Sequence, residues 1–295
     1  MMKKIISLIL VAVMVLSLTS CSPSKVKVNG TKIDNEVYAY FETHAVKNEK
    51  GEVSEDAILK DISRYVAINS EFLNRGLVLD SNEKSEVSTR VNDLWHLYGS
   101  FYTENDISKQ TIYKIELSKT YENTLLADYY APDGDHPVTE DDIKEYFKEN
   151  YAAIRFVTGY LFNVDDNGAT VSMTDAEKTK LTNSFKSVAE IVTEGTSIEE
   201  AVGSLGENTE VRNAVINAFS DDTFPEGFWN KVNGIENGKT EVFTVGNYVF
   251  LVNRVDVFSE EYGYYNAYRT DCLKRMKGEE FSSVVDKWAE NYKAE

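Results

Sequence analysis

Between residues 34 and 46, apolar side chains recur every three or four positions, at Val37, Tyr38, Phe41 and Ala45. That spacing lines one face of an α-helix, and Asp34 stands where an N-cap would accept from free first-turn amides. Ser54 opens the next stripe, which runs through Ile58, Ile62, Tyr65, Val66, Phe72 and Leu73 and stops near Gly76. A third occupies 81–102 with Val87, Val91, Leu94, Trp95 and Tyr98, and a fourth occupies 106–130 with Ile107, Ile112, Ile115, Leu117, Tyr121, Leu125 and Tyr129. Four such stripes joined by short connections predict an all-α module, because each apolar face needs another to cover it. Ahead of them, "VKVNGTKI" predicts a small hairpin, with Asn29-Gly30 at the positive φ angles of its turn.

"APDGDHP", residues 131–137, holds two of the four prolines and ends the module. A charged helix follows Thr139, with Glu140, Asp141 and Asp142 at the positive end of its dipole. The period then shortens. "AAIRFVTGYLFNV" reads as a buried strand ending at the turn "DDNG", 174–193 and 197–203 as helices, 224–232 as a short helix, and "TEVFTVG" and "YVFLVNRVDVF" as strands. Residues 210–219 fit neither period. Last, Phe281, Val284, Val285, Trp288 and Tyr292 line a helix with no later domain to cover it, so it is expected to fold back on the first module.

The resulting fold class is α+β and mostly helical: a discontinuous helical domain built from the N- and C-terminal helices, with an α+β domain inserted. The expected boundaries are 26–137 for the helical domain, 138–151 for a linking helix, 152–258 for the inserted domain and 259–295 for the returning helix.

The first twenty residues add a location. Lys3 and Lys4 precede an apolar run and small polar residues, the layout of a secretory signal peptide over 1–20. Leu18-Thr19-Ser20-Cys21 resembles the bacterial lipobox, which implies lipidation of Cys21, a spacer over 21–25 and a lipid-anchored protein on the extracytoplasmic face of the cell membrane. A diacylglyceryl anchor suits that role, since each buried acyl CH₂ contributes about 0.8 kcal/mol and two chains hold where one leaks off. The formal net charge of −18 argues against nucleic acid as a partner and against a basic membrane-binding patch. Cys272 is the one thiol besides Cys21 and reads as a packed core residue.

Along nearly the whole mature length, the layout resembles the PrsA/SurA family of extracytoplasmic foldases and the helical chaperone part of trigger factor. The resemblance rests on "VNGTKID" after the lipobox, the four helices, "VTEDDIKEYFKENY", a β-first insert, "NGKTEVFTVGNYVFLVNRVD" and the terminal amphipathic helix. It implies a parvulin-type peptidyl-prolyl isomerase as the insert and a helical cradle for unfolded clients. The family's two catalytic histidines fall on Phe156 and Tyr248, and its glycine-pair motif is missing. X-Pro rotation faces a barrier of about 18–20 kcal/mol, and parvulins lower it with polar groups around the twisted amide. Phe156 has no donor to offer, so the insert is expected to be a degenerate parvulin domain with weak or no isomerase activity.

Other chemistry is thin. "NVDDNG" begins like an EF-hand loop, but Thr174 stands where the bidentate glutamate belongs. His44, His96 and His136 lack metal-ligand spacing, and no cofactor or metal is expected. Aromatic abundance remains, with 18 tyrosines and 14 phenylalanines. "WHLYGSFY" and "EYGYYNAY" supply the candidate client-binding residues Trp95, Tyr98, Phe101, Tyr102, Tyr262, Tyr264, Tyr265 and Tyr268. The expected partners are unfolded or nascent secreted polypeptides, with a homodimer left open. The alternatives are an active, diverged isomerase and an envelope adaptor or ligand-binding lipoprotein.

Overall fold

The computed structural model describes residues 25–48, 50–206, 209–219, 223–261 and 263–295. The leader, Cys21 and Tyr262 lie outside the described residues. The chain is α+β and mostly helical, and it divides into two compact units. One runs to Val138 and resumes at Leu273–Glu295; the other is the insert Thr139–Cys272.

The first unit opens with β1 (Lys27–Val28) and β2 (Thr31–Lys32), which turn at Asn29 and Gly30 with φ of 50° and 79°. Lys27 and Glu295 exchange two backbone hydrogen bonds, so the last residues add a third short segment to this hairpin. α1 (Asn35–His44) begins where the Asp34 carboxylate accepts from the Glu36 amide at 3.1 Å. α2 (Glu55–Asn74) follows, then α3 (Ser81–Glu104), opened by a reciprocal capping box between Asp80 and Glu83. α4 (Lys109–Tyr129) starts three residues later than its apolar stripe suggests. The difference lies in the turn: Asp106 takes φ of 56° and the Ser108 hydroxyl caps the Thr111 amide, while Ile107 is buried without being helical.

Glu36 links α1 to the start of α4. Its carboxylate accepts from the Ser108 amide at 3.0 Å, from the Thr111 hydroxyl at 2.5 Å and from the Ser108 hydroxyl. Burial pushes this carboxyl up, but those donors and Lys114 outweigh it, so the group sits below its ordinary value of 4.5. A depressed carboxyl contributes stability above the unfolded value and loses it as pH falls through the folded one. Glu36→Gln is therefore expected to cost about 1–2 kcal/mol at neutral pH. The gap from the parent should close below pH 4.5, as read by urea midpoints across a pH series.

The second unit begins with α5 (Glu140–Asn150), opened by a Thr139–Asp142 capping box. Next come β3 (Tyr151–Tyr160), the hairpin of β4 (Phe162–Val164) and β5 (Thr170–Ser172), α6 (Asp175–Thr193), and α7 (Ile198–Ala201) with its 3-10 continuation Val202–Leu205. β6 (Arg212–Asn217), α8 (Phe228–Asn233), β7 (Thr240–Val245) and β8 (Tyr248–Val255) complete it. Four strands form an antiparallel sheet in the order β6-β3-β8-β7. One face packs Ala152, Ile154, Phe156, Phe250 and Val252 beneath Phe228 and Val232 of α8. The other packs Val157, Val249 and Leu251 beneath Phe185 and Val188 of α6. Gly159 lets that helix approach, because a Cβ there would lie 2.7 Å from Val249 and 2.8 Å from Phe185. Arg254 closes α8, its Nη1 donating to the carbonyls of Val232, Asn233 and Ile235 at 3.3, 2.9 and 2.8 Å.

The polar stretch "DDNG" is the tip of the β4–β5 hairpin, where Asp165 accepts from the amides of Asn167 and Ala169. β6 occupies the stretch whose period was ambiguous, and α8 begins at Phe228, four residues after the expected start at 224.

α9 (Tyr264–Ala289) is the last helix. Up to Cys272 it belongs to the insert, where Arg269 pairs with Glu140 at 2.8 Å. From Leu273 it belongs to the helical unit. There Phe281 packs against Tyr129, Tyr130 and Trp288, and Arg64 of α2 pairs with Asp286 and donates to the Ser282 carbonyl. The helix ends at Ala289, so Tyr292, read as the end of its stripe, joins the core from the tail. Arg75 fastens the proline-rich loop to α2 and α4 by binding Asp128 at 2.8 Å and Asp135 at 2.6 Å.

Candidate functional site

α3 has 24 residues and spans about 36 Å, yet among its described side chains only Val87, Val91 and Tyr102 are buried. It packs chiefly on α4. Its apolar stripe is left uncovered at Tyr98, between the half-buried Trp95 and the buried Tyr102. Tyr98 continues the face that carries Val87 and Val91 but is 52% exposed, and beside it stand Phe101 at 44% and Leu97 at 68%. Trp95 is half-buried against the core, with Gly99 close under its indole.

Behind this crest lies a stack of rings that fixes its position. His44 at the end of α1 stacks on Tyr40 at 4.1 Å and on Tyr102 at 6.0 Å, and meets Phe101 edge-on at 6.4 Å. Its Nδ1 lies 2.8 Å from the Tyr40 carbonyl. Tyr102 is 5% exposed, and burial pushes its phenol up. It cannot serve as contact surface, and the expectation that it would is corrected: it is the support on which Trp95 and Phe101 rest.

The second aromatic stretch behaves differently. Tyr265 is 9% exposed, and its hydroxyl donates to Glu140, the carboxylate that also takes Arg269. Burial, then that carboxylate, push its phenol well up. Tyr268 packs on Phe147 and Tyr151, and Tyr264 is half-buried. Tyr265 thus belongs to the joint between α5 and α9 rather than to a client-binding wall, a second correction. The spacing of these tyrosines is that of a helix face, and sequence alone does not say which neighbour covers it.

On the sheet, Phe156 is 8% exposed, with its ring edge-on to Phe224 at 5.2 Å. Phe156 faces Val252 across the ladder, four residues along β8 from Tyr248, a separation of roughly 13 Å. Phe156 and Tyr248 are therefore not a contacting pair. Tyr248 instead joins Tyr160 and Phe162, at 5.7 and 6.3 Å between ring centres, in a patch at the sheet end where Tyr160 is 53% exposed. Tyr160 and Leu97 are not among the residues the sequence singles out, because Leu97 lies beside the α3 stripe and Tyr160 ends a strand read as buried.

Among the described residues, no cluster of three or more His, Cys, Asp and Glu is placed to hold a metal ion, and no helix is long and apolar enough to cross a membrane. Cys272 is fully buried.

No protein-family model matches the chain, and no curated protein matches it. Solved structures do. The PrsA foldase of Lactococcus lactis is 12% identical, over 91% of this chain and 93% of that one, with a TM-score of 0.44. The PrsA foldase of Streptococcus pneumoniae is 12% identical over 83% and 92%, at 0.42, and Bacillus subtilis PrsA is 12% identical over 84% and 93%, at 0.33. The chain is thus similar to bacterial PrsA structures along most of its length.

Proposed function

We propose that this protein is a lipid-anchored chaperone of the extracytoplasmic face, tethered through Cys21, that holds unfolded secreted polypeptides and assists their folding. The observation that carries the reading is the crest of Leu97, Tyr98 and Phe101, an exposed apolar patch near a helix end whose position is fixed by buried rings. Aromatic side chains on a rigid support offer large amphipathic contact area at low entropic cost, suited to many apolar sequences. Covering exposed apolar segments of a client disfavours its aggregation by mass action. The strongly acidic chain keeps such a surface soluble and disfavours self-association. The leader and the lipobox-like Leu18-Thr19-Ser20-Cys21 supply the place of action.

The test is light scattering of a reduced, unfolding client with the purified protein at increasing ratio. Suppression that saturates near stoichiometric amounts is expected, and unchanged scattering would contradict the reading. Retention of radiolabelled glycerol in the parent and its loss in Cys21→Ser tests the anchor.

The insert is expected to act as a scaffold, with little isomerisation. Phe156 is core and Tyr248 lies about 13 Å further along the sheet, so the pair does not surround one twisted amide. In a proline-peptide assay the parent should accelerate cis/trans exchange less than tenfold. A large acceleration abolished by Tyr248→Phe, which removes only the hydroxyl, would assign catalysis to the insert instead.

A further inference from the structure

We infer that the N-terminal hairpin is a membrane-contact face, on which four lysines bind the anionic headgroups of the bilayer that holds the anchor. The inference deepens the anchoring reading and rests on Cys21 to bring this face to the lipid.

Along the first strand the side chains alternate. Val26 and Val28 are buried at 4% and 3%, so Lys25 and Lys27 face out. In β2, Lys32 stands directly opposite Lys27, and the next residue, Ile33, is buried. The tail repeats the pattern on the other side of β1. Ala294 pairs with Val28 and packs on the core, leaving Lys293 and Glu295 exposed on the same side as Lys27. One outward face thus gathers Lys25, Lys27, Lys32 and Lys293, with Glu295 as its acid. Residues 25–33 contain no Asp or Glu, and Asp34 beyond them is paired with Lys114 at 3.3 Å. Lys25 lies over the Tyr38 ring at 4.7 Å, and none of the four lysines makes an ion pair among the described residues.

Two observations identify the occupant. Lys27 and Lys32 are a like-charged cross-strand pair, with Cβ atoms about 5 Å apart, an arrangement that is repulsive in water and that a layer of phosphates above it relieves. The second is reach. Lys25 is four residues after Cys21, a span of at most about 14 Å whatever its conformation, so a lipid on Cys21 keeps the hairpin close enough to touch the headgroups. The net charge of −18 argues against a basic patch for the chain as a whole. Screening, however, limits each charge to about 10 Å at 0.1 M salt, so this face acts on its own while the acidic remainder is repelled from the lipid. Four lysines at the leaflet therefore orient a body that acyl chains alone leave free to swivel.

For the test, the full protein is extracted from membranes and reconstituted in vesicles of phosphatidylglycerol and phosphatidylcholine in equal parts, or of phosphatidylcholine alone. A short acetylation pulse is then read by mass spectrometry. On the anionic vesicles Lys25, Lys27, Lys32 and Lys293 are expected to react about fivefold or more slowly than on the neutral ones, and high salt should abolish the difference. The exposed Lys84, about 30 Å along α3 from its C-terminal end, is the reference and should react alike on both. Lys27→Gln/Lys32→Gln removes the like-charged pair, so it should keep or raise the thermal midpoint while Lys25 and Lys293 lose most of their protection. Equal rates on the two vesicle types, a slowing shared by Lys84, or a slowing that survives high salt would each overturn the inference. Protection already present in detergent, as a second copy covering the face would give, would overturn it too. The mass of the Cys21 peptide reports the anchor separately. If that peptide carries no acyl chains, the anchoring reading fails and cosedimentation of the same protein with the two vesicle types decides this one: preference for the anionic vesicles supports it, and no preference overturns it.

Discussion

Phe281→Ala is expected to lower the stability of the helical unit by about 3–5 kcal/mol, the cost of deleting a large, fully packed ring. Phe281 is 2% exposed and meets Tyr129, Tyr130 and Trp288 within one aromatic group. The cavity would open where α9 lies against the end of α4, so the contacts that return the last helix to the first module are lost together. The urea midpoint followed by tryptophan fluorescence reads the effect, and Phe281→Leu, which refills most of the volume, should recover over half of it. A change under about 1 kcal/mol would show that the helix does not depend on this packing.

Tyr98→Ser/Phe101→Ser should act in the opposite manner, leaving the fold nearly intact and removing function. Both rings are about half exposed, so their loss costs little folding stability. As contact anchors each is worth about 1–2 kcal/mol, and together they should weaken client affinity by roughly 30-fold or more. The measurement is fluorescence anisotropy of a labelled unfolded client, paired with the thermal midpoint of the variant. Tyr102→Ser offers the contrast: Tyr102 is buried in the ring stack, so that change should lower the midpoint as well as binding.

The helical stripes were legible because period and burial agree wherever a helix has a partner along its length, as at Ile58, Ile62 and Val66 of α2. The start of α4 was misplaced because Ile107 is as buried in a turn as it would be in a helix, and only the positive φ of Asp106 separates the two. β6 was opaque because "RNAVIN" buries one face alone, with Ile216 inward, and its state is set by pairing with the distant β3. The same limit governs the candidate site. Tyr98 and Tyr102 sit one turn apart on one stripe, and Tyr265 repeats the pattern, but exposure depends on where α1, α4 and α5 end, which periodicity does not encode. Phe156 and Tyr248 were placed by resemblance, and the register that sets Phe156 opposite Val252, four residues along β8 from Tyr248, comes from the whole sheet.

The central claim is that unfolded chains dock on the uncovered end of α3. Its most direct test places a photoreactive phenylalanine analogue at Tyr98, and separately at the exposed Val78, in the full protein, and irradiates each with a reduced, unfolded client. Strong cross-linking from position 98, with little from 78 and little from either site to the folded client, is the predicted result. Equal yields from the two positions, or none from 98, would contradict the account.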